Sequence, residues 1–169
     1  CFLFFIVLQT QVMNKLKIIF FDIDGVVNPT MYNNALDKLW RNNKECKSKD
    51  EYGDYFAPWC VDNLYKILND TSALIVISST WRKSGIIAMR ELWYHRRLPG
   101  EIYDITPALN TARGEEIAEW LRENDVDSYV IIDDKGDMLP EQMSNFVLTN
   151  SRVGLTLEDA NKCIRILNK

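Results

Sequence analysis

Ile18-Ile19-Phe20-Phe21-Asp22-Ile23-Asp24-Gly25-Val26-Val27-Asn28-Pro29 is the stretch from which the rest of the chain can be read. Its four consecutive apolar residues, 18–21, predict a strand buried on both faces, as inside a parallel sheet. Side chains alternate along an extended chain, so Asp22 and Asp24 are expected on the same side of it. Gly25 permits a sharp turn, and Asn28-Pro29 keeps the backbone in a loop. Two like charges beside an apolar strand repel one another and lose hydration, so they require a compensating cation. A hard divalent ion that takes oxygen ligands, such as Mg²⁺, meets that requirement.

Outward from this stretch, strand and helix patterns alternate. Residues 30–55 are polar and charged, with Lys38, Arg41, Lys44, Lys47 and Lys49 among Asn, Asp and Glu. Leu36, Leu39 and Trp40 allow a short helix there, but the segment reads mostly as a loop-like insertion. Val61, Leu64, Tyr65 and Leu68 mark an amphipathic helix. Ala73–Ile77 predicts a second buried strand that ends in Ser78-Ser79-Thr80-Trp81-Arg82, and a helix follows over 84–96 until Pro99-Gly100. Further strands are predicted at 102–105, 129–132 and 146–148, with a helix from about 111 to 123 between the first two. Thr156 with Asp159 has the form of a helix cap for the last helix. The alternation argues a central parallel sheet with helices on both faces.

The chain has 169 residues, 47% hydrophobic and 26% charged, enough for one domain with a sizeable core. A net charge of −4 gives no global attraction to nucleic acid, so any such contact must rest on a local patch. The four cysteines, Cys1, Cys46, Cys60 and Cys163, show no CxxC spacing, which points to reduced thiols and a cytoplasmic setting. Cys1–Val12 is apolar at its start, yet too short to span a bilayer and without a basic leader or a small-residue cleavage site. Residues 1–12 are therefore expected to be a non-native or disordered extension, with residues 13–169 forming a single domain that starts at Met13. No membrane association and no obligate protein partner is inferred.

Ligands of open parallel sheets bind at the carboxyl ends of the strands. Three predicted strands end there in chemistry-bearing groups: Asp22 and Asp24, then Ser78-Ser79-Thr80, then Asp133-Asp134. Arg113, at a helix start, belongs to the same edge. Alone, each has a plainer reading: Ser78 as a helix cap, Arg113 as a solvated residue paired with Glu116 or Glu119, Asp133-Asp134 as a turn, Trp81 as core. His95 reads as a solvated helix end.

Together these residues resemble the four motifs of the haloacid dehalogenase (HAD) superfamily. Asp22-Ile23-Asp24-Gly25-Val26-Val27 is similar to the first, Ile75-Val76-Ile77-Ser78 to the second, Arg113 to the third, and Ile131-Ile132-Asp133-Asp134 to the fourth. Ile77-Ser78-Ser79-Thr80-Trp81-Arg82, Arg113-Gly114-Glu115-Glu116-Ile117 and Gly154-Leu155-Thr156 further resemble the small HAD domains of RNA-repair-associated proteins. The resemblance implies a three-layer, Rossmann-like α/β fold with a minimal cap, and a Mg²⁺-dependent phosphatase that forms an aspartyl-phosphate. Asp22 is then the nucleophile and Asp24 the general acid and base. Ser78, Ser79 and Arg113 bind the phosphate. Asp22, the Asp24 backbone carbonyl and Asp133 hold the metal, with Asp134, Asp137 and Arg82 as auxiliaries.

Neither the insertion after the first motif nor the stretch between Ser78 and Arg113 has the length of a large cap domain. An open site suits a phosphomonoester on a large molecule such as a nucleic-acid end, for which Arg82, Lys83, Arg90, Arg96, Arg97 and the lysines of 38–49 could form a basic rim. The alternatives are a small-nucleotide or sugar phosphatase with residues 30–55 as a lid, and an inactive phosphate- or partner-binding module.

Overall fold

The computed structural model describes residues 16–169. The expectation for residues 1–12 and the proposed start at Met13 lie outside the described residues. Five parallel strands form the central sheet in the order β5-β4-β1-β6-β7. These are β1 (Leu16–Phe21), β4 (Leu74–Ile77), β5 (Ile102–Ile105), β6 (Val126–Asp133) and β7 (Phe146–Leu148). Ile19 and Phe21 face one layer, made by α2 (Pro58–Thr71), α3 (Ile86–His95) and α5 (Leu157–Leu167), and pack with Leu64, Trp93 and Cys163. Ile18 and Phe20 face the other, where Ile117 and Trp120 of α4 (Arg113–Glu123) cover them. That is why the run 18–21 is apolar at every position: both faces of β1 are buried.

The chain leaves β1 for β4 and β5 on one side, then crosses to β6 and β7 on the other. β1 is thus the place where strand order reverses, and the crevice beyond its carboxyl end is where such sheets bind ligands. The final helix starts as its sequence predicts. Asp159 N–H donates to Thr156 Oγ1 at 3.2 Å, and Thr156 N–H donates to Asp159 Oδ2 at 3.1 Å.

The insertion is more ordered than its composition suggests. Residues Thr30–Asn42 form a 13-residue helix, α1, followed by a small hairpin of β2 (Lys49–Asp50) and β3 (Gly53–Asp54). Met31, Tyr32, Ala35, Leu36, Leu39 and Trp40 recur along α1 at helical spacing, yet none of its residues is fully buried. Tertiary contacts fix its start and the hairpin after it. Thr30 and Met31 N–H donate to the carbonyls of Ser151 and Arg152, and Tyr32 packs edge-on against Trp59. Arg96 holds the hairpin, donating to both carboxylate oxygens of Asp50 and to the carbonyls of Gly53 and Asp54.

Candidate active site

The sheet ladders continue one residue past the strand ends. Asp22 N–H donates to Ile132 O, Ser78 N–H to Phe21 O and Thr106 N–H to Ile77 O, each at 3.0 Å. Asp22, Ser78, Thr106 and Asp133 are therefore aligned across four neighbouring strands on the α4 side, since residues paired in a parallel ladder share a face. The four are almost completely buried.

Arg113, the first residue of α4, reaches into this row. Its Nη1 donates to Asp22 Oδ1 at 3.0 Å and to Asp133 Oδ2 at 2.8 Å. It is 8% exposed, so the solvated reading in which it pairs with Glu116 or Glu119 does not hold. Asp137 Oδ2 accepts from the Arg113 backbone N–H at 3.1 Å, which fixes the start of the helix. Gly114 allows the following loop to close on that start, because a Cβ there would lie 2.6 Å from Leu139 N.

Burial dominates the electrostatics. It raises the Asp22 carboxyl above the usual range, against the pull of Arg113. It also pushes Asp133 up to about 7, helped by the neighbouring Asp22 charge. The Arg113 guanidinium loses hydration too, but Asp133 and Asp22 outweigh that loss and raise its pKa. Asp22, Asp133 and Asp134 each offer an oxygen, and the three lie within 4.8 Å of one another. Asp134 Oδ1 is buried without a hydrogen-bond partner, as is Ser78 Oγ. Buried polar atoms without partners are costly, and hard oxygen donors gathered this closely suit a cation such as Mg²⁺. Gly25 makes the approach of Asp134 possible: its φ is +74°, and a Cβ would meet Asp134 Oδ2 at 2.5 Å.

Asp24 differs from Asp22 in being exposed. Both of its oxygens are held, Oδ1 by Asn28 Nδ2 at 2.7 Å and Oδ2 by the Trp81 indole N–H at 2.9 Å. Sequence reasoning missed both partners. Asn28 read as a loop residue and Trp81 as core, and only the fold brings Trp81 back across 57 positions. A polar pair so distant in sequence leaves no local signal.

Ser79, rather than Ser78, caps the turn that follows β4, accepting from Trp81 N–H at 3.4 Å. Ser78 is left with its hydroxyl free in the row. Arg82 lies inside the protein, not on a rim. It donates to the carbonyls of Ser78, Ser79 and Thr106 and pairs with the buried Glu116. Its donors are taken up in fixing the backbone behind the site. Arg90 is bound to the carbonyls of Ile102 and Tyr103, and Arg96 to the hairpin, so the expected rim loses these members as well. Arg82, Arg90 and Arg96 thus all direct guanidinium donors to backbone carbonyls. His95 stays exposed at the end of α3, with its ring stacked on Tyr52.

A family model described as the HAD domain in Swiss Army Knife RNA repair proteins matches residues 18–160. No curated protein and no solved structure matches the chain. The matched span runs from β1 into α5 and takes in the three strand-end motifs, the Arg113 helix start and the central parallel sheet. The chain belongs to the HAD family, in the branch of small HAD domains found in RNA repair proteins.

Proposed function

We propose that this protein is a phosphomonoesterase that works through an aspartyl-phosphate on Asp22, in a reducing cytoplasmic setting, with the phosphate of a nucleic-acid end as substrate. The observation that carries the reading is the Asp22 carboxylate itself. It is buried, oriented by Arg113 at 3.0 Å, and set beside Asp133 and Asp134 with Asp24 close to solvent.

In the first step an Asp22 oxygen bonds to phosphorus as the bond to the leaving oxygen breaks, and Asp24 gives that oxygen its proton. In the second, Asp24 takes a proton from water, whose oxygen attacks phosphorus and releases Asp22 and inorganic phosphate. Arg113, the Ser78 hydroxyl and Ser79 stabilise the non-transferring oxygens. Asp22, Asp133 and Asp134, with the Asp24 carbonyl, are the residues that would hold Mg²⁺, which supplies charge neutralisation for the phosphoryl group. Asp137 supports Arg113 from behind. Anchoring of the insertion at both ends speaks against a mobile lid over a small sugar or nucleotide. The description of the family as a domain of RNA repair proteins favours a nucleic-acid end.

The test is hydrolysis of an aryl phosphate with and without Mg²⁺. Asp22→Asn is expected to fall to background and Asp24→Asn by about 10²–10⁴-fold. Turnover by the Asp22→Asn protein would remove the nucleophile, and none by the wild type would favour a binding module.

A further inference from the structure

The insertion carries a feature that phosphoryl transfer does not use. The second half of α1 and the turn into β2 enclose a cleft of about 390 Å³ lined by Asp37, Trp40, Arg41, Lys47, Ser48 and Lys49. Trp40 is 43% exposed although it is the largest apolar side chain of its helix. The Lys44 ammonium lies 3.4 Å from the centre of its ring. Residues 37–49 hold five Lys and Arg against two carboxylates, in a chain whose net charge is −4. Lys38, Arg41, Lys44 and Lys47 make no ion pair among the described residues. The basic charge is therefore local, in excess over the two carboxylates, and grouped around an exposed indole with Lys44 on one face.

An aromatic platform beside a row of free cations is how single strands are bound without base reading: a base stacks on the ring and the phosphates meet the charges. Position agrees with this. α1 begins two residues after Asn28, which holds Asp24, and Trp40 follows ten residues later, about 15 Å along the helix axis. A strand seated at the cleft can thus run along the helix toward the carboxylates.

We propose that this cleft binds single-stranded nucleic acid, with a base on Trp40 and phosphates on Arg41, Lys44 and Lys47. Lys44 moves from the ring to a phosphate as the base takes its place. That the bound strand presents its end to Asp22 rests on the phosphatase reading; the affinity of the cleft does not.

Fluorescence anisotropy with a labelled single-stranded oligoribonucleotide of about ten residues, lacking a terminal phosphate, tests the cleft separately. Binding is expected to weaken about tenfold in Trp40→Ala and to be largely kept in Trp40→Phe. In the Arg41→Ala/Lys47→Ala protein, the slope of log affinity against log salt should fall by about 0.7 for each cation removed. Wild-type affinity in Trp40→Ala overturns the proposal, and so does equal competition by polyglutamate, which would make the cleft a general anion surface. RNA binding that depends on Trp40 without aryl phosphate hydrolysis would keep the cleft and remove the phosphatase. Hydrolysis with binding indifferent to Trp40 would do the reverse.

Discussion

Asp24 is held by two side chains that serve different ends. Asn28 ties it to its own loop, its Oδ1 also accepting from Gly25 N–H at 3.1 Å. Trp81 ties it to the end of β4, with its ring against Phe56. The proton transfer proposed for Asp24 requires it to hold its place against solvent, and an exposed carboxylate has no packing to do that. Trp81→Phe keeps the ring and deletes the donor. Hydrogen bonds to charged groups are worth about 1.5–3 kcal/mol, so kcat for an aryl phosphate is expected to fall about tenfold or more. On the proposed mechanism KM should stay close to wild type, because there Arg113 and the Ser78 hydroxyl, not Trp81, bind the phosphate. Steady-state kinetics decide it, and an unchanged kcat would mean that Asp24 needs no such support. The carboxylates themselves were legible in the sequence because a strand's period puts them at its tip. Their partners were not, since a hydrogen bond across 57 residues depends on where two loops meet.

The turn after β4 and the helix α4 are joined by one buried ion pair, Arg82 with Glu116. Burial lowers the Arg82 pKa, and the Glu116 carboxylate works against that. Glu116 also accepts from Leu109 N–H at 3.0 Å and so fixes the loop that leads into α4. Removing it leaves the guanidinium inside the protein without its ion-pair partner. Glu116→Ala is expected to cost about 3–5 kcal/mol, read from urea unfolding. A loss below about 1 kcal/mol would show that water reaches Arg82. The elements on either side were predicted at their proper places, since apolar strands and capped helices declare themselves by period and punctuation. α1 stood out less, because its apolar residues, though at helical spacing, sit in a segment otherwise rich in amides and charges that reads as a loop.

Across the whole molecule, two layers of helices seal the sheet, and the cysteines report on one of them. Cys60 of α2 and Cys163 of α5 are buried against the sheet, and burial pushes each thiol up to about 12. Cys46, in the turn after α1, is exposed. Since the thiolate is the reactive form, iodoacetamide at neutral pH is expected to label Cys46 in the folded protein and to reach Cys60 and Cys163 only with denaturant. Mass spectrometry of the labelled peptides measures this, and early labelling of Cys163 would mean that α5 does not seal the sheet as described. The chain's own order of residues settled the parallel α/β layering and which strand tips carry acid, hydroxyl or cation, because those follow from local period and from the rule that strands end where polar residues begin. Tertiary structure alone decided that Arg113 bridges Asp22 and Asp133, that Arg82 turns inward and that Trp81 steadies Asp24. Each is a contact between segments far apart in sequence, and side-chain direction at such a meeting is set by packing, which no single segment encodes.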